Sequence, residues 1–298
     1  EIYDEPFGDV SGIPTTLVSQ LARKDVTVSL SADGGDEIFA GYDKHITSLH
    51  HHNQFAKIPF TARKIIESGM CHIDPDKIPY LKNTYNFETK YRKLKNVITL
   101  QHAVDIMKLT SQYFTFNQTQ ELLKEPLVAL PTHFDDMVSS HNDEMNHMLA
   151  VDYKTYLVDD ILTKVDRAGM SVGLEGREPL LDYRLIEFTA QLPSHFKYRD
   201  GKQKWLLKEI THKYLPKKLM DRPKQGFGVP ITEWFKDELE KYFYIYLDQN
   251  RLVKEGLFNA DKVIEMRDKY LDGDKESAAK LWRILMFEMW YERWVWDV

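Results

Sequence analysis

Only one stretch of this chain has the pattern of a buried parallel strand: DVTVSL, residues 25–30, which runs straight into SADGGDE. It is short, rich in β-branched residues and ended by two glycines. A helical pattern, TTLVSQLARK (15–24), precedes it, and helical periodicity resumes after Asp36. Strand, tight turn and helix form the repeating unit of α/β folds, in which ligands sit beyond the carboxyl ends of parallel strands. No second strand of that quality follows. Helical patterns dominate from residue 60 onward, at 100–124, 139–170, 203–214 and 276–293. HIDPDKIP (72–79) and EPLVALPTHFDD (125–136) read as loops between them. One or two strands cannot make a buried parallel sheet, so the expectation is an α/β, mostly helical fold whose other strands lie upstream. Residues 1–60 are then the remaining strand-turn-helix part of an α/β domain, and 61–298 a helical part of the same domain. That the chain opens on Glu1 rather than Met agrees with this expectation.

The 298 residues suffice to bury a substantial core, and a net charge of −6 with a pI near 6.0 argues against a broad nucleic-acid-binding face. No window approaches eighteen uninterrupted apolar residues, so no membrane span is expected. With no signal-peptide pattern and a single cysteine, Cys71, the expected location is the cytoplasm.

The turn after the strand carries the chemistry. Gly34 and Gly35 permit close backbone approach, yet Asp33, Asp36 and Glu37 bring negative charge to the same place. The helix macrodipole favours one or two acids in a first turn, but it does not explain a double glycine directly after a strand. A polyphosphate would be repelled there unless a hard cation lay between, and Mg²⁺ takes one or two carboxylates plus phosphate oxygens. The turn therefore suggests a metal-bridged nucleotide. A basic counterpart lies in DRPKQGFG (221–228), where Arg222 and Lys224 flank a loop made by Pro223, Gly226 and Gly228. In VDDILTKVDRAGM, Asp160 and Lys164 stand four apart, as do Thr163 and Arg167, a spacing that sets each pair on one helical face. Ile161, Leu162 and Val165 belong on the buried face.

LSADGGDEIFAGY (30–42) is similar to the LSGDGGDELFGGY signature of glutamine-dependent asparagine synthetases, with Ala32 and Ala40 in place of glycines. YDEPFGDVSGIPT (3–15), YLVDDILTKVDRAGMSVGLEGREPLLD (156–182), GKQKWLLKE (201–209) and RPKQGFGVPITEWF (222–235) resemble further blocks of the same family, in the same order. The resemblance implies the C-terminal part of an adenine nucleotide alpha hydrolase-like (PP-loop ATPase) domain. It also implies ATP-dependent amide formation through an acyl-adenylate, turning aspartate and ammonia from glutamine into asparagine with release of AMP and pyrophosphate.

On this reading Asp36 holds Mg²⁺, while Ser31, Gly34, Gly35, Lys204 and Lys224 contact ATP. Asp33 and Lys224 are catalytic, and Asp160, with Asp33, binds the second substrate; Asp166 is the alternative to Asp160. Gly176 and Glu178 depart from the branched and apolar residues of the commoner motif, which opens the identity of the accepting carboxylate. A sugar acid or a lactam-forming acid is the rival substrate, and a non-catalytic interaction module the rival class. No SGG-x-DS pyrophosphate loop and no N-terminal nucleophilic cysteine occur in these residues, so a pyrophosphate-loop region and a glutaminase are expected upstream and the chain alone is expected to be inactive. Neither nucleic acid nor membrane is an expected partner, and a homodimer is left open. HHHN (50–53) reads as an exposed polar run, and LWRILMFEMWYERW (281–294) as a helix filling a core groove.

Overall fold

The computed structural model describes residues 1–74, 87–128, 143–221, 226–274 and 277–296. Its first third runs α1 (Gly12–Arg23), β1 (Val28–Leu30), α2 (Gly35–Ile38), α3 (Asp43–Phe55), α4 (Phe60–His72), α5 (Phe87–Val97), α6 (Ala103–Ser111) and α7 (Phe116–Leu122). The middle holds α8 (Glu144–Lys154), a π-helical turn (Leu157–Leu162) continuing into α9 (Thr163–Met170), β2 (Glu175–Arg177), a 3₁₀ turn (Pro179–Leu181) and α10 (Tyr183–Gln191). A short hairpin, β3 (Tyr198–Arg199) and β4 (Lys202–Gln203), leads into α11 (Trp205–Thr211) and α12 (Lys217–Met220). The chain ends in α13 (Ile231–Trp234), α14 (Glu240–Tyr246), α15 (Gln249–Glu255), α16 (Ala260–Leu271), α17 (Ala278–Tyr291) and a π-helical tail (Glu292–Trp296). The fold is α/β and mostly helical. Among the described residues, no helix is long and apolar enough to cross a membrane.

The strand expected at 25–30 forms over its last three residues and pairs in parallel with β2, Val28 opposite Glu175 and Leu30 opposite Arg177. No apolar pattern announces β2, because Glu175, Gly176 and Arg177 are all exposed. Its place is set by the backbone ladder, which continues beyond the strands with the Ser31 N–H donating to the Arg177 carbonyl at 2.9 Å. The pattern at 100–124 divides into α6 and α7. Thr115 stops continuity by capping α7 in a reciprocal box with Gln118, satisfying donors that a continuous helix would have used internally.

Two hydrophobic clusters stand out among the described residues. Beneath the N-terminal half, Ala40, Ala103, Met107, Met148, Leu149 and Val151 pack α3, α6 and α8 together. In the C-terminal half, Phe235, Phe243, Leu252, Tyr270, Leu281 and Leu285 form the larger cluster, so the aromatic tail sequence does fill a core groove. α1 packs against α9, burying Gly12, Thr16 and Ser19 on the first and Ala168 and Gly169 on the second; the space at Gly12 is taken by Tyr3 and Phe7, and that at Gly169 by the Leu174 carbonyl.

Candidate functional site

The acidic turn leaves β1 through Gly34, at φ +85°, and closes into α2. A Cβ on Gly34 would lie 2.1 Å from Leu181 Cδ2, and one on Gly35 would lie 2.8 Å from Leu180 Cδ1. Both glycines thus have a packing reason: the 3₁₀ turn after β2 presses against them. Asp33 is fixed locally, accepting a hydrogen bond from the Ser31 hydroxyl and returning its own N–H to Ser31 Oγ at 3.1 Å. Glu37 is only 1% exposed and accepts a 2.7 Å hydrogen bond from the Tyr42 hydroxyl. Burial pushes the Glu37 carboxyl above its ordinary range against that hydrogen bond. The turn therefore offers two half-buried acids, Asp33 and Asp36, rather than three. Ala40, where the commoner motif has glycine, sits at φ +56° and is fully buried, which supplies the backbone reason for that glycine.

Lys204 comes to this turn from the far side of the sequence. Asp200 and Gly201 both have positive φ, the backbone a two-residue hairpin demands, and they fold β3 onto β4. The hairpin is clipped to the turn at two points: the Lys204 N–H donates to the Phe39 carbonyl at 3.1 Å, and Gln203 Nε2 donates to Asp43 Oδ1 at 3.0 Å. Lys204 itself adopts φ +53°, which sends its ammonium to Asp36 Oδ1 at 3.0 Å. Both side chains are about three-quarters buried, at 26% and 22% exposure. Gly41 provides the room, since a Cβ there would stand 1.8 Å from Asp36 Oδ1 and 2.2 Å from Lys204 Cε.

Asp160 lies elsewhere, in a cleft of about 1220 Å³ whose walls include Tyr42, Lys44, Tyr113, Tyr156, Lys280 and Arg283. Burial, then the neighbouring Asp9 charge, push its carboxyl up to about 6 against the opposing pull of Lys164, Tyr156 and Arg283. A carboxyl near neutrality in a cleft can bind an amine or exchange a proton. Lys44 sits 4.1 Å above the Tyr156 ring while paired to Asp152 at 2.8 Å, and the Arg283 guanidinium lies 3.1 Å from the Tyr113 ring centre.

The expected pairing of Asp160 with Lys164 does not form. The π-helical turn at Leu157–Leu162 widens the helix, and the Thr163 hydroxyl donates to the Val158 carbonyl five residues back. Lys164 instead reaches Asp9 Oδ2 at 2.7 Å and Ser11 Oγ at 2.8 Å, and Arg167 reaches Asp4 at 3.0 Å. Of the three residues assigned to the buried face only Ile161 is fully buried; Leu162 and Val165 are half-buried.

Ser31, Asp33, Gly34, Gly35, Asp36 and Lys204 are brought together. The Asp160 cleft borders them through an aromatic contact, Tyr42 meeting Tyr156 edge-on at 5.6 Å between ring centres. Lys224 and Arg222 lie outside the described residues. Sequence reasoning does not single out Tyr156, Lys44 or Arg283: Tyr156 opens the 156–182 block without a role assigned to it, Lys44 follows the glycine turn in a helical pattern, and Arg283 lies in the run read as core. Glu178 stands near Asp33 and Asp166, whose charges join burial in pushing its carboxyl up. Its Oε1 would lie 2.9 Å from a Cβ on Gly176, so the two departures from the commoner motif occupy one space.

A strand edge, an acidic glycine turn and a lysine-bearing hairpin clipped to it define a domain of asparagine synthase type. The sequence profile for asparagine synthase matches residues 1–292, and the chain belongs to that family. It is 27% identical to glutamine-hydrolysing asparagine synthetase 1 of Bacillus subtilis (strain 168), over 97% of this chain and 44% of the relative. It is likewise 27% identical to a putative glutamine-hydrolysing asparagine synthetase of Mycobacterium tuberculosis, over 97% of this chain and 42% of the relative. The chain thus spans less than half the length of these relatives. A rat glutamine-hydrolysing asparagine synthetase is 38% identical over 88 residues, 27% of this chain and 15% of that protein.

Proposed function

We propose that the chain is the synthetase portion of an ATP-dependent ligase that activates a carboxylate as its acyl-adenylate and passes it to ammonia, aspartate becoming asparagine with release of AMP and pyrophosphate. The observation that carries this reading is the Asp36–Lys204 contact beside Asp33, at the carboxyl end of β1. Activation is chemically required, because a free carboxylate resists attack by an amine until its oxygen belongs to a good leaving group. Ser31, the backbone at Gly34 and Gly35, Lys204 and Lys224 bind the nucleotide in this scheme, on the adenine nucleotide alpha hydrolase-like plan. Lys224 steadies the negative charge that develops as pyrophosphate leaves.

Among the described residues no cluster of three histidine, cysteine or acidic ligands could hold a metal by itself. Asp36 fits Mg²⁺ as one carboxylate whose partners are the phosphate oxygens of the substrate. Bound there, the ion neutralises phosphate charge that Asp33 and Asp36 would otherwise repel. Asp33 and Asp160 serve the acceptor side. Asp160 binds or deprotonates the incoming nitrogen, and Lys44 and Arg283 offer positive charge to an acceptor carboxylate. Glutamine hydrolysis is assigned in this scheme to a further region of the full-length protein, in keeping with the relatives being glutamine-hydrolysing synthetases.

Glu178 favours a second reading of the substrate. A third acid beside Asp33, where the common motif is apolar, disfavours an acceptor with a spare negative charge, so a monocarboxylate or sugar acid is the alternative to aspartate. Both readings are tested by screening carboxylates for AMP release from Mg·ATP and ammonia with the full-length protein. Aspartate-dependent AMP and pyrophosphate in equal amounts, abolished by Asp36→Ala and by Lys224→Met, supports the first reading. Preference for a monocarboxylate that shifts toward aspartate in Glu178→Val supports the second. Release of ADP, or of no nucleotide product with any acid, refutes both.

A further inference from the structure

Among the described residues, the C-terminal core gathers three carboxyls, two of them buried, around the Arg251 guanidinium. Arg251 on α15 donates to Glu255 Oε1 at 2.7 Å and to Glu292 Oε2 at 2.5 Å, and lies 4.0 Å from Glu288 Oε2. Glu255 and Glu288 have side chains 1% and 0% exposed. Counted as carboxylates, Glu255 Oε2 and both oxygens of Glu288 are buried with no hydrogen-bond donor. Unpaired buried acceptors of that kind are costly and rare. Both carboxyls gather at the Arg251 guanidinium with these oxygens lacking a donor, and a proton on one is the donor the other lacks. No metal-binding cluster is found there among the described residues. Tyr246 on α14 also faces the cluster, its hydroxyl donating to Glu292 Oε1 at 3.1 Å and its ring lying 4.7 Å from the Arg251 guanidinium, and Lys254 lies 5.0 Å from the Trp296 ring that Arg251 also meets.

We propose that Glu255 and Glu288 are a carboxyl pair sharing one proton, which locks α15 to α17 at neutral pH and is given up to solvent in alkali, loosening the helix that forms one wall of the Asp160 cleft. Glu288 and the cleft residues Lys280 and Arg283 are carried on the same helix, α17. Burial, then the hydrogen bond and charge of Glu255, push the Glu288 carboxyl up to about 9, and Arg251 opposes them. Because the folded value is raised above the ordinary 4.5, the pair's contribution to stability is complete below the ordinary value and is lost as pH rises toward about 9.

The test compares urea unfolding of the chain with that of Glu288→Gln and Glu255→Gln between about pH 6 and about pH 9, where one proton is at stake. Each amide supplies an N–H where the acid supplies its O–H. Both variants are expected to stay folded at neutral pH, and the wild-type chain should lose stability with rising pH relative to Glu288→Gln, with the slope of one proton. The infrared carbonyl band of a protonated carboxyl should be present in the wild-type chain at neutral pH, fade in alkali and be missing from Glu288→Gln. Hydrogen exchange along α17, corrected for the chemical rate, should quicken in alkali in the wild-type chain alone. Absence of the band at neutral pH overturns the proposal, as does an identical pH slope in Glu288→Gln. Unfolding of both amide variants at neutral pH overturns it too, since an amide replaces a neutral acid but not a needed charge.

Discussion

Gly41→Ala is the sharpest probe of the acidic turn, because one methyl group would strike both members of its ion pair. Gly41 lies outside the left-handed backbone region, so alanine meets no backbone strain and only space decides the outcome. Ordinary contact begins at 3.4 Å and the new Cβ would stand 1.8 Å from Asp36 Oδ1, so that oxygen must retreat by about 1.6 Å. Lys204 Cε, at 2.2 Å, must retreat by about 1.2 Å. The 3.0 Å contact between them cannot survive both movements. Overpacking costs about 1–3 kcal/mol and the severed half-buried ion pair up to about 1 kcal/mol, while the stiffer unfolded chain returns about 0.4–1 kcal/mol. The expected net loss is about 2 kcal/mol, read by equilibrium urea unfolding. Gly69→Ala is the control: it lies within α4 with nothing inside 4 Å, so the change should be neutral or stabilising by up to about 1 kcal/mol. If Gly41→Ala matched Gly69→Ala, the packing of Asp36 against Lys204 would be refuted.

Two further outcomes follow from the charges around Asp160. Asp160→Asn should flatten the pH dependence of stability, because a carboxyl pushed up from 3.8 to about 6 stabilises the fold fully below its ordinary value and loses that contribution as pH rises through about 6; urea midpoints across that window decide it. Lys164→Met should cost about 3 kcal/mol, since it strips the ammonium from Asp9 and leaves a largely buried carboxylate with only Ser11 as a side-chain donor. Burial alone would push Asp9 upward, and hydrogen bonds from Lys164 and Ser11 hold it below the usual carboxylate range. Its NMR titration should therefore move upward in the variant, and the double variant Asp9→Asn/Lys164→Met should recover part of the loss. A cost under about 1 kcal/mol would show the pair to be replaceable by solvent.

How far the sequence alone reaches can be judged element by element. β1, the glycine turn and the helix after it are legible because their signals are local: β-branched residues, two glycines and helical spacing act over a few residues. Asp200-Gly201 is a local hairpin code that sequence reading passes over, because its two short strands have no hydrophobic alternation to announce them. β2 is invisible because its three residues are exposed and polar, and only the ladder with β1 holds them extended. Four-residue spacing between Asp160 and Lys164 is the right rule for an α-helix, and it fails here because the backbone locally takes the π form.

Sequence by itself marked β1, the glycine turn and many of the helical segments, and it put Ser31, Asp33 and Asp36 on one short turn. Tertiary structure alone decided that Lys204 meets Asp36, that Lys164 answers Asp9 across 155 positions, and that Gly34 and Gly35 are spaces kept for Leu181 and Leu180. The division has a physical cause. Backbone preferences are set by neighbours along the chain, whereas the partner of a charge and the cost of burying it depend on segments that only folding brings within a few ångströms.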